Sequence, residues 1–500
     1  MLNNKYHSKN IFGYKLSNSY EMIDKTFYEY SKPTPVKLPH FIKLNTKLIR
    51  ELGLSKINIE NDESLAILSG NKILDDIHPV SLAYSGHQFG HFSWQLGDGR
   101  AHLLGDFCLS NGQRYDIQLK GSGITPYSRG GDGRSPLGPV LREYLISEFM
   151  ASVGIPTTRS LAIVSTGENI MRTNYQPSGI LTRVADSHLR IGSFEYFAAR
   201  EDLGSLKNIA NYAIDRHFNE VKNSKNRYEK FFELVIDSQA KLLAKWMNIG
   251  FIHGVMNTDN VSISGQTIDY GPCAFMDYYS SNQVYSSIDT QGRYAYGNQV
   301  NICYWNLLKF GESLLPLFNK NISTATKIMN DKLEEFSSKF NSYWLSIFSK
   351  KFGFSIKIND KNDIDIIQKL FTLMEESKSD FTLTFRLLSD VLRGSEEVYG
   401  LFSNKDRIIK WVSCWKKRLL KEHKDIAKIA FEMNSINPLY IPRNHLVNNA
   451  IELAVNNNQF NEFNFLCKLF ESPFSDMDYD IKYSSPPRSD QIIHQTFCGT

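Results

Sequence analysis

The chain has 500 residues, enough to bury a large core and to favour a two-lobed or multi-domain protein. Its 57 Lys and Arg against 53 Asp and Glu leave a net charge of +4, too mild an excess to imply nucleic acid. No apolar run approaches the roughly 20 residues that span a bilayer, so no membrane partner is expected.

The amino-terminal stretch "MLNNKYHSKNIFGYKLSNSY" is basic and acid-free. It lacks both the arginines of a transit peptide and the apolar core of a signal peptide. Six scattered cysteines show no CxxC pair and no metal-like spacing. A reduced, cytoplasmic protein is the expectation.

The first sharp local signal is "WQLGDGRAHLLGDFCLSNGQRYDIQLKGSG", Trp94 to Gly123. Asn111-Gly112 predicts a two-residue hairpin turn between apolar-rich strands. In the second strand Tyr115, Ile117 and Leu119 alternate with Asp116, Gln118 and Lys120, which sends Lys120 to the face opposite the apolar one. The loop "GDGR" leading into the hairpin carries Gly97 and Gly99, which let backbone approach a phosphate, and Arg100, which adds charge. On its own the same loop also reads as a plain turn.

A helix is predicted from about Val140 to Val153, with Pro139 in its first turn and "GIP" at Gly154 to Pro156 ending it. It carries Glu143. A strand lysine followed by a helix glutamate is the pairing that holds a nucleotide-binding lysine, although a solvated carboxylate fits the same spacing. A long, largely buried helix is predicted over "NRYEKFFELVIDSQAKLLAKWMNIG", Asn226 to Gly250.

Directly after it comes "HGVMNTDNVSISGQTIDYG", His253 to Gly271. "NVSISG" and "QTIDYG" read as short strands with a turn at Ser264 to Gln266, whose antiparallel pairing would bring Asp269 back beside Asn260. An amide and a carboxylate so placed suit Mg²⁺ carrying nucleotide phosphates, and Asp259 is then free to act as a base. His87 and His91 have i,i+4 spacing, but the segment is broken by glycine and has Gln where a zinc protease needs Glu.

Glycine loop, strand lysine, helix glutamate, then long helix, Asp-Asn and Asp-aromatic-Gly follow the order of the parts of a protein kinase. The expected fold class is α+β, a two-lobed kinase-like fold with a β-rich N-lobe to about residue 190, a helical C-lobe to about residue 470 and a tail over 471–500, extended at "SSPPRSD". One departure matters: Val255 stands where a kinase has its base, which puts simple hydroxyl phosphorylation in doubt.

Over residues 80 to 300 the sequence resembles the SelO family, the kinase-fold protein adenylyltransferases. The stretches that carry the likeness are "YSGHQFG", "LGDGRA", "DIQLKGSGITPYSRGGDGR", "HGVMNTDN", "IDYGP" and "GRYAYGNQ". Departures are small: Val300 replaces a usual proline, and Ser135-Pro136-Leu137 varies a commonly different string.

The resemblance implies ATP bound in reverse of a kinase, its α-phosphate presented to a Ser, Thr or Tyr hydroxyl of a protein substrate, with pyrophosphate leaving and Mg²⁺ or Mn²⁺ as the metal. It implies nucleotide contacts at Gly97, Gly99, Arg100, Lys120, Asp132, Gly133, Arg183 and Arg190, with Glu143 as the lysine's partner. It further implies Asp259 as the base, and Asn260 and Asp269 as metal ligands. The planar fork of arginine suits phosphate, whereas spacing alone leaves Arg183 and Arg190 as surface residues. The resemblance also puts a cysteine or selenocysteine where Cys498 stands. A redox partner such as Cys273 and an idle tail are both open there. A γ-phosphate kinase and a non-catalytic nucleotide-binding scaffold are the rival readings.

Overall fold

The computed structural model describes residues 15–54, 59–74, 77–354, 361–422, 425–476 and 479–497. Strands β1 (Tyr28–Tyr30), β2 (His40–Leu44), β3 (Val80–Gln88), β4 (His91–Gly97), β5 (Ala101–Cys108), β6 (Arg114–Lys120), β7 (Ser135–Pro136), β8 (Arg159–Met171) and β9 (Tyr175–Ala185) form one sheet. Its order is β1-β3-β5-β6-β9-β8-β2, with β4 beside β3 and β7 beside β9, every pairing antiparallel.

The expected hairpin is β5 and β6, paired from Ala101↔Lys120 to Cys108↔Arg114. Its turn is longer than the two residues expected. Leu109 N donates to Gln113 O at 2.8 Å, so Ser110, Asn111 and Gly112 make the bend, with Gly112 at φ 87°. A three-residue turn needs one left-handed position, and glycine fills it without strain.

One face of the sheet packs under helices α1 (Thr46–Glu51) and α2 (Asp62–Leu68), in a core that takes Ile117 and Leu119 from β6. The opposite face of β6 is buried as well. Asp116 and Gln118 are both fully covered, so the alternation of this strand separates an apolar core from a buried polar strip rather than from water. Helix α3 (Leu137–Ser152) lies against β8 and β9 and begins three residues before the predicted start, with Pro139 still in the first turn where a missing N–H costs nothing.

After β9 the regular structure is mainly helical. α4 (Ile191–Ala199), α5 (Leu203–His217) and α6 (Arg227–Asn248) precede the two-stranded ribbon β10 (Phe251–Ile252) and β11 (Ala274–Phe275), and α7 (Gln299–Phe318) opens a run of further helices to Phe470. A continuous apolar core joins β3, α3, α4, α6, α7 and the later helices. Among the described residues no helix is long and apolar enough to cross a membrane.

The second predicted hairpin does not form. Ser262 bridges Arg190, with Ile191 N donating to Val261 O at 2.9 Å and Ile263 N to Leu189 O at 3.1 Å. Thr267 bridges Thr157, and Thr158 N donates to Thr267 O at 2.9 Å. Each arm therefore pairs with a different outside segment instead of with the other. Only the bend survives, at Gly265, whose N–H reaches Ser262 O.

Candidate active site

A cavity of about 580 Å³ opens between the glycine loop, the end of β6, α3 and the 255–272 segment. That is the size range of ligand pockets. Every residue singled out from the sequence for the nucleotide, the base or the metal lines it: Gly97, Gly99, Arg100, Lys120, Asp132, Gly133, Glu143, Arg183, Arg190, Asp259, Asn260 and Asp269.

Its floor is the far end of the polar strip. Adjacent strands place Arg183 opposite Gln118 and Leu181 opposite Lys120, so the Lys120 and Arg183 side chains emerge next to one another. Lys120 Nζ donates to Glu143 Oε2 at 2.7 Å and to Asp269 Oδ1 at 3.2 Å. Arg183 gives Nε to Glu143 Oε1 and Nη2 to Asp269 Oδ1, both at 2.5 Å. Arg190 Nη1 reaches Asp269 Oδ2 at 2.5 Å and the Asp259 carbonyl at 2.6 Å. Lys120, Arg183 and Arg190 thus face Glu143 and Asp269, a surplus of one positive charge in the walls of a cavity.

Burial alone would raise the Asp269 carboxyl, but Arg183, Arg190 and Lys120 together hold it well below the usual carboxylate range. The same opposition, burial against Arg183 and then Lys120, lowers Glu143. Asp259 behaves differently. Burial pushes it up to about 6, with Arg190 only partly opposing, and its Oδ1 is buried without a hydrogen-bond partner. A carboxylate with a proton affinity raised in this way is suited to accept a proton near neutral pH.

The glycine loop is shaped by packing as much as by any ligand. A Cβ on Gly97 would lie 2.4 Å from the Tyr127 ring, and one on Gly99 2.8 Å from the Tyr127 carbonyl. Asp98 between them is buried, which raises its carboxyl, and it accepts from Leu82 N and Gln118 Nε2, each at 3.2 Å. Asp132 stands at the rim, gripped by both Arg172 Nη atoms at 2.8 Å. Asp98 and Gln118 were not anticipated from sequence, although the alternation of β6 put Gln118 on the Lys120 face.

The oxygen donors Asn260 and Asp269 are of the type a hard divalent cation takes, although Lys120, Arg183 and Arg190 already bond both Asp269 oxygens. Asn260 Nδ2 donates to Val255 O at 3.1 Å, which leaves the amide oxygen as the atom a cation can use, and Asp269 supplies a carboxylate held in the left-handed region at φ 64°. Among the described residues no group of three or more His, Cys, Asp or Glu side chains is gathered for a metal. An ion held here would complete its shell with phosphate oxygens and water, as Mg²⁺ commonly does. Val255 is buried at the cavity wall, with no acidic group of its own.

His87 binds Glu195 through Nδ1 at 2.5 Å, while His91 lies exposed across the turn. Cys498 lies outside the described residues. The tail just before it returns to this region, where Thr496 N donates to Tyr285 O at 2.7 Å and the Thr496 hydroxyl to Pro272 O. Cys273 is buried, which pushes its thiol up to about 12.

The family described as protein adenylyltransferase SelO matches residues 11–471. A protein nucleotidyltransferase YdiU of Rhizobium rhizogenes is 48% identical over 487 residues, 97% of this chain and 96% of its own length. One of the same description from Bacillus mycoides is 47% identical over 495 residues, 99% of this chain and 100% of its own. Across nearly the whole length, and with the site residues gathered in one cavity, the chain belongs to the protein adenylyltransferase SelO family and is a nucleotidyltransferase.

Proposed function

We propose that the chain binds ATP in this cavity and transfers AMP to Ser, Thr or Tyr hydroxyls of proteins, releasing pyrophosphate. The observation that carries this is the cation surplus of Lys120, Arg183 and Arg190 within the cavity that Asp259 also lines. Asp259 accepts the proton of the acceptor hydroxyl, and the oxygen attacks the α-phosphorus. The bond from the α-phosphorus to the oxygen leading to the β-phosphorus breaks, and the electron pair leaves with pyrophosphate. Lys120, Arg183 and Arg190 are preorganised to meet the charge that builds there. Arg190 also fixes the turn that carries Asp259 through its carbonyl. Asn260 and Asp269 would hold a divalent ion, Mg²⁺ or Mn²⁺, which would supply positive charge against the phosphates.

The sheet to about residue 190 and the helices to about residue 470 are read as the two lobes of a protein-kinase-like fold, with 471–500 as a tail. A cytoplasmic location is supported by Cys108, Cys273, Cys303, Cys414 and Cys467 all being unpaired. Neither nucleic acid nor membrane enters this reading.

Incubation with a protein acceptor and ATP labelled with ³²P decides the reaction. Label from the α position should enter protein and label from the γ position should not, since the β and γ phosphates leave together. Transfer from the γ position alone would make the chain a kinase. Transfer from neither, with nucleotide bound, would make it a scaffold.

A further inference from the structure

The stretch Tyr84–Gly90, the end of β3 and the turn into β4, has no part in the reaction as described, yet it runs along the Asn257–Asn260 turn. A Cβ on Gly86 would meet Thr258 Oγ1 at 3.0 Å and Asp259 Oδ1 at 3.1 Å, closer than the neighbours accept without moving. His87 N donates to Thr258 Oγ1 at 2.7 Å, Gln88 Nε2 to Asp259 Oδ2 at 3.4 Å, and Phe89 N to Asn257 Oδ1 at 3.0 Å. Tyr294 OH holds the same Asn257 oxygen at 2.6 Å.

Glu195 locks this contact from the other side. It is the acidic residue of the apolar helix α4 and is only 4% exposed. Its Oε2 accepts the Thr258 hydroxyl at 2.5 Å and its Oε1 takes His87 Nδ1 at 2.5 Å. Thr258, fully buried, therefore gives its one proton to Glu195 and receives one from His87 N, which leaves it a single orientation. The residue next to it is Asp259. Of that carboxylate's two oxygens, Oδ2 meets Gln88, and Oδ1 is buried, unpartnered and packed beside Gly86.

We infer that Gln88 is a positioning residue for the acceptor step: its amide holds Oδ2 of Asp259 and so fixes the rotamer of that carboxylate, on a base plate formed by Thr258, Glu195 and His87. At 3.4 Å the pinning bond is long, as such contacts often are before substrate tightens them. A carboxylate free to rotate would divide its time among orientations, and a displacement on the order of 1 Å costs roughly 100-fold in a positioned reaction. The inference rests on Asp259 being the base.

The test compares Gln88→Ala and Gln88→Glu with the parent chain and Asp259→Asn. It follows AMP transfer to casein and to the chain itself by intact mass, and ATP affinity by calorimetry with Mg²⁺. Gln88→Ala should lower kcat 10- to 100-fold while ATP affinity stays within threefold. Gln88→Glu has the same shape but no amide to donate. It should be at least as slow as Gln88→Ala, whereas a packing role would be restored by the isostere. Thr258→Val should show the same split between kcat and ATP affinity, and Thr258→Ser should recover most of the rate. The inference is overturned if Gln88→Ala keeps full kcat, if Gln88→Glu restores it, or if ATP affinity falls by the same factor as kcat. Full activity in Asp259→Asn would instead remove the base, and no transfer by the parent chain would remove the reaction. Either result takes this inference with it and is told apart by the variant in which it appears.

Discussion

Two of the buried ion clusters among the described residues are built from the same chemistry with opposite balance. Around Asp269, the cations Lys120, Arg183 and Arg190 outnumber the carboxylates Glu143 and Asp269, and Asp269 remains 22% exposed to the cavity. In the helical part, Arg443 alone serves Asp277 at 2.9 Å and Asp380 at 2.8 Å, and also donates to Ser484 O at 2.8 Å. Arg443 and Asp380 there are 0% and 1% exposed. The second cluster has surplus negative charge and faces no part of the nucleotide cavity. It ties the 277–280 segment, the start of the Phe381–Val391 helix and the tail together. A buried ion network by itself therefore does not mark a site. A surplus of charge facing a space large enough for a ligand does.

The comparison breaks first at Asp269. Asp269→Ala should abolish transfer, by more than about 1000-fold, and remove metal-dependent ATP binding, since it deletes the one carboxylate read as a metal ligand. Asp259→Ala should lose transfer but bind ATP nearly as the parent does. Calorimetry with and without Mg²⁺ separates them, and equal loss of binding in both would erase the division of roles.

Arg443→Met tests the other cluster. Removing the cation leaves Asp277 and Asp380 buried without compensation, a loss of about 3–5 kcal/mol in urea unfolding. Transfer measured well below the lowered Tm should stay within about threefold of the parent. A large fall in kcat without a change in stability would mean that the dry cluster also acts on the reaction.

Arg190→Lys sharpens the first cluster. The charge stays, but one ammonium cannot reproduce the contacts of Arg190 with Asp269 and with the Asp259 carbonyl together. A drop of roughly 30- to 100-fold in kcat/KM is expected, about 2–3 kcal/mol in transition-state stabilisation. Full activity would reduce Arg190 to a point charge.

The smallest effect is a difference in pH dependence. Burial, opposed by Arg443, raises the Asp277 carboxyl to about 6. A folded-state value above the unfolded one of about 3.9 means that the folded chain binds the proton more tightly. The contribution is full below about pH 4 and is lost as pH rises through 6. Asp269, held low, contributes with the opposite sign: its stabilisation is present above the unfolded value and lost as pH falls toward its folded one. Unfolding in urea at pH 4.5 and pH 7 should show Asp277→Asn gaining relative to the parent at the higher pH, by about 2 kcal/mol. An identical difference at both values would mean that Asp277 is ionised throughout.

Much of the site could be read from the chain because its parts sit on elements whose signals are local. The alternation of Tyr115, Ile117 and Leu119 with Asp116, Gln118 and Lys120 placed Lys120, and the four-residue repeat of Leu141, Leu145 and Phe149 placed the helix bearing Glu143. Asn111-Gly112 announced the hairpin, though not its length, because a turn's length depends on which flanking pair closes last. These features follow from backbone geometry and side-chain period within a few residues, which sequence records directly.

The remaining contacts join partners far apart in the chain. The 260–269 arms looked like a self-paired hairpin, yet residues 189–191 and 156–158 claimed their backbone groups, a competition invisible in the segment itself. Arg183 and Arg190 resembled ordinary surface cations until the β6–β9 register and the bridge from Arg190 to Ser262 turned them onto Asp269. Glu195 gave one faint sign, a lone acid in "IGSFEYF", but its partners Thr258 and His87 are separated from it by 63 and 108 positions. Local pattern in the chain specifies which residue types are available and which elements carry them. Folding decided which of them share a desolvated space, because the charge balance of that space sums over elements that no local pattern connects.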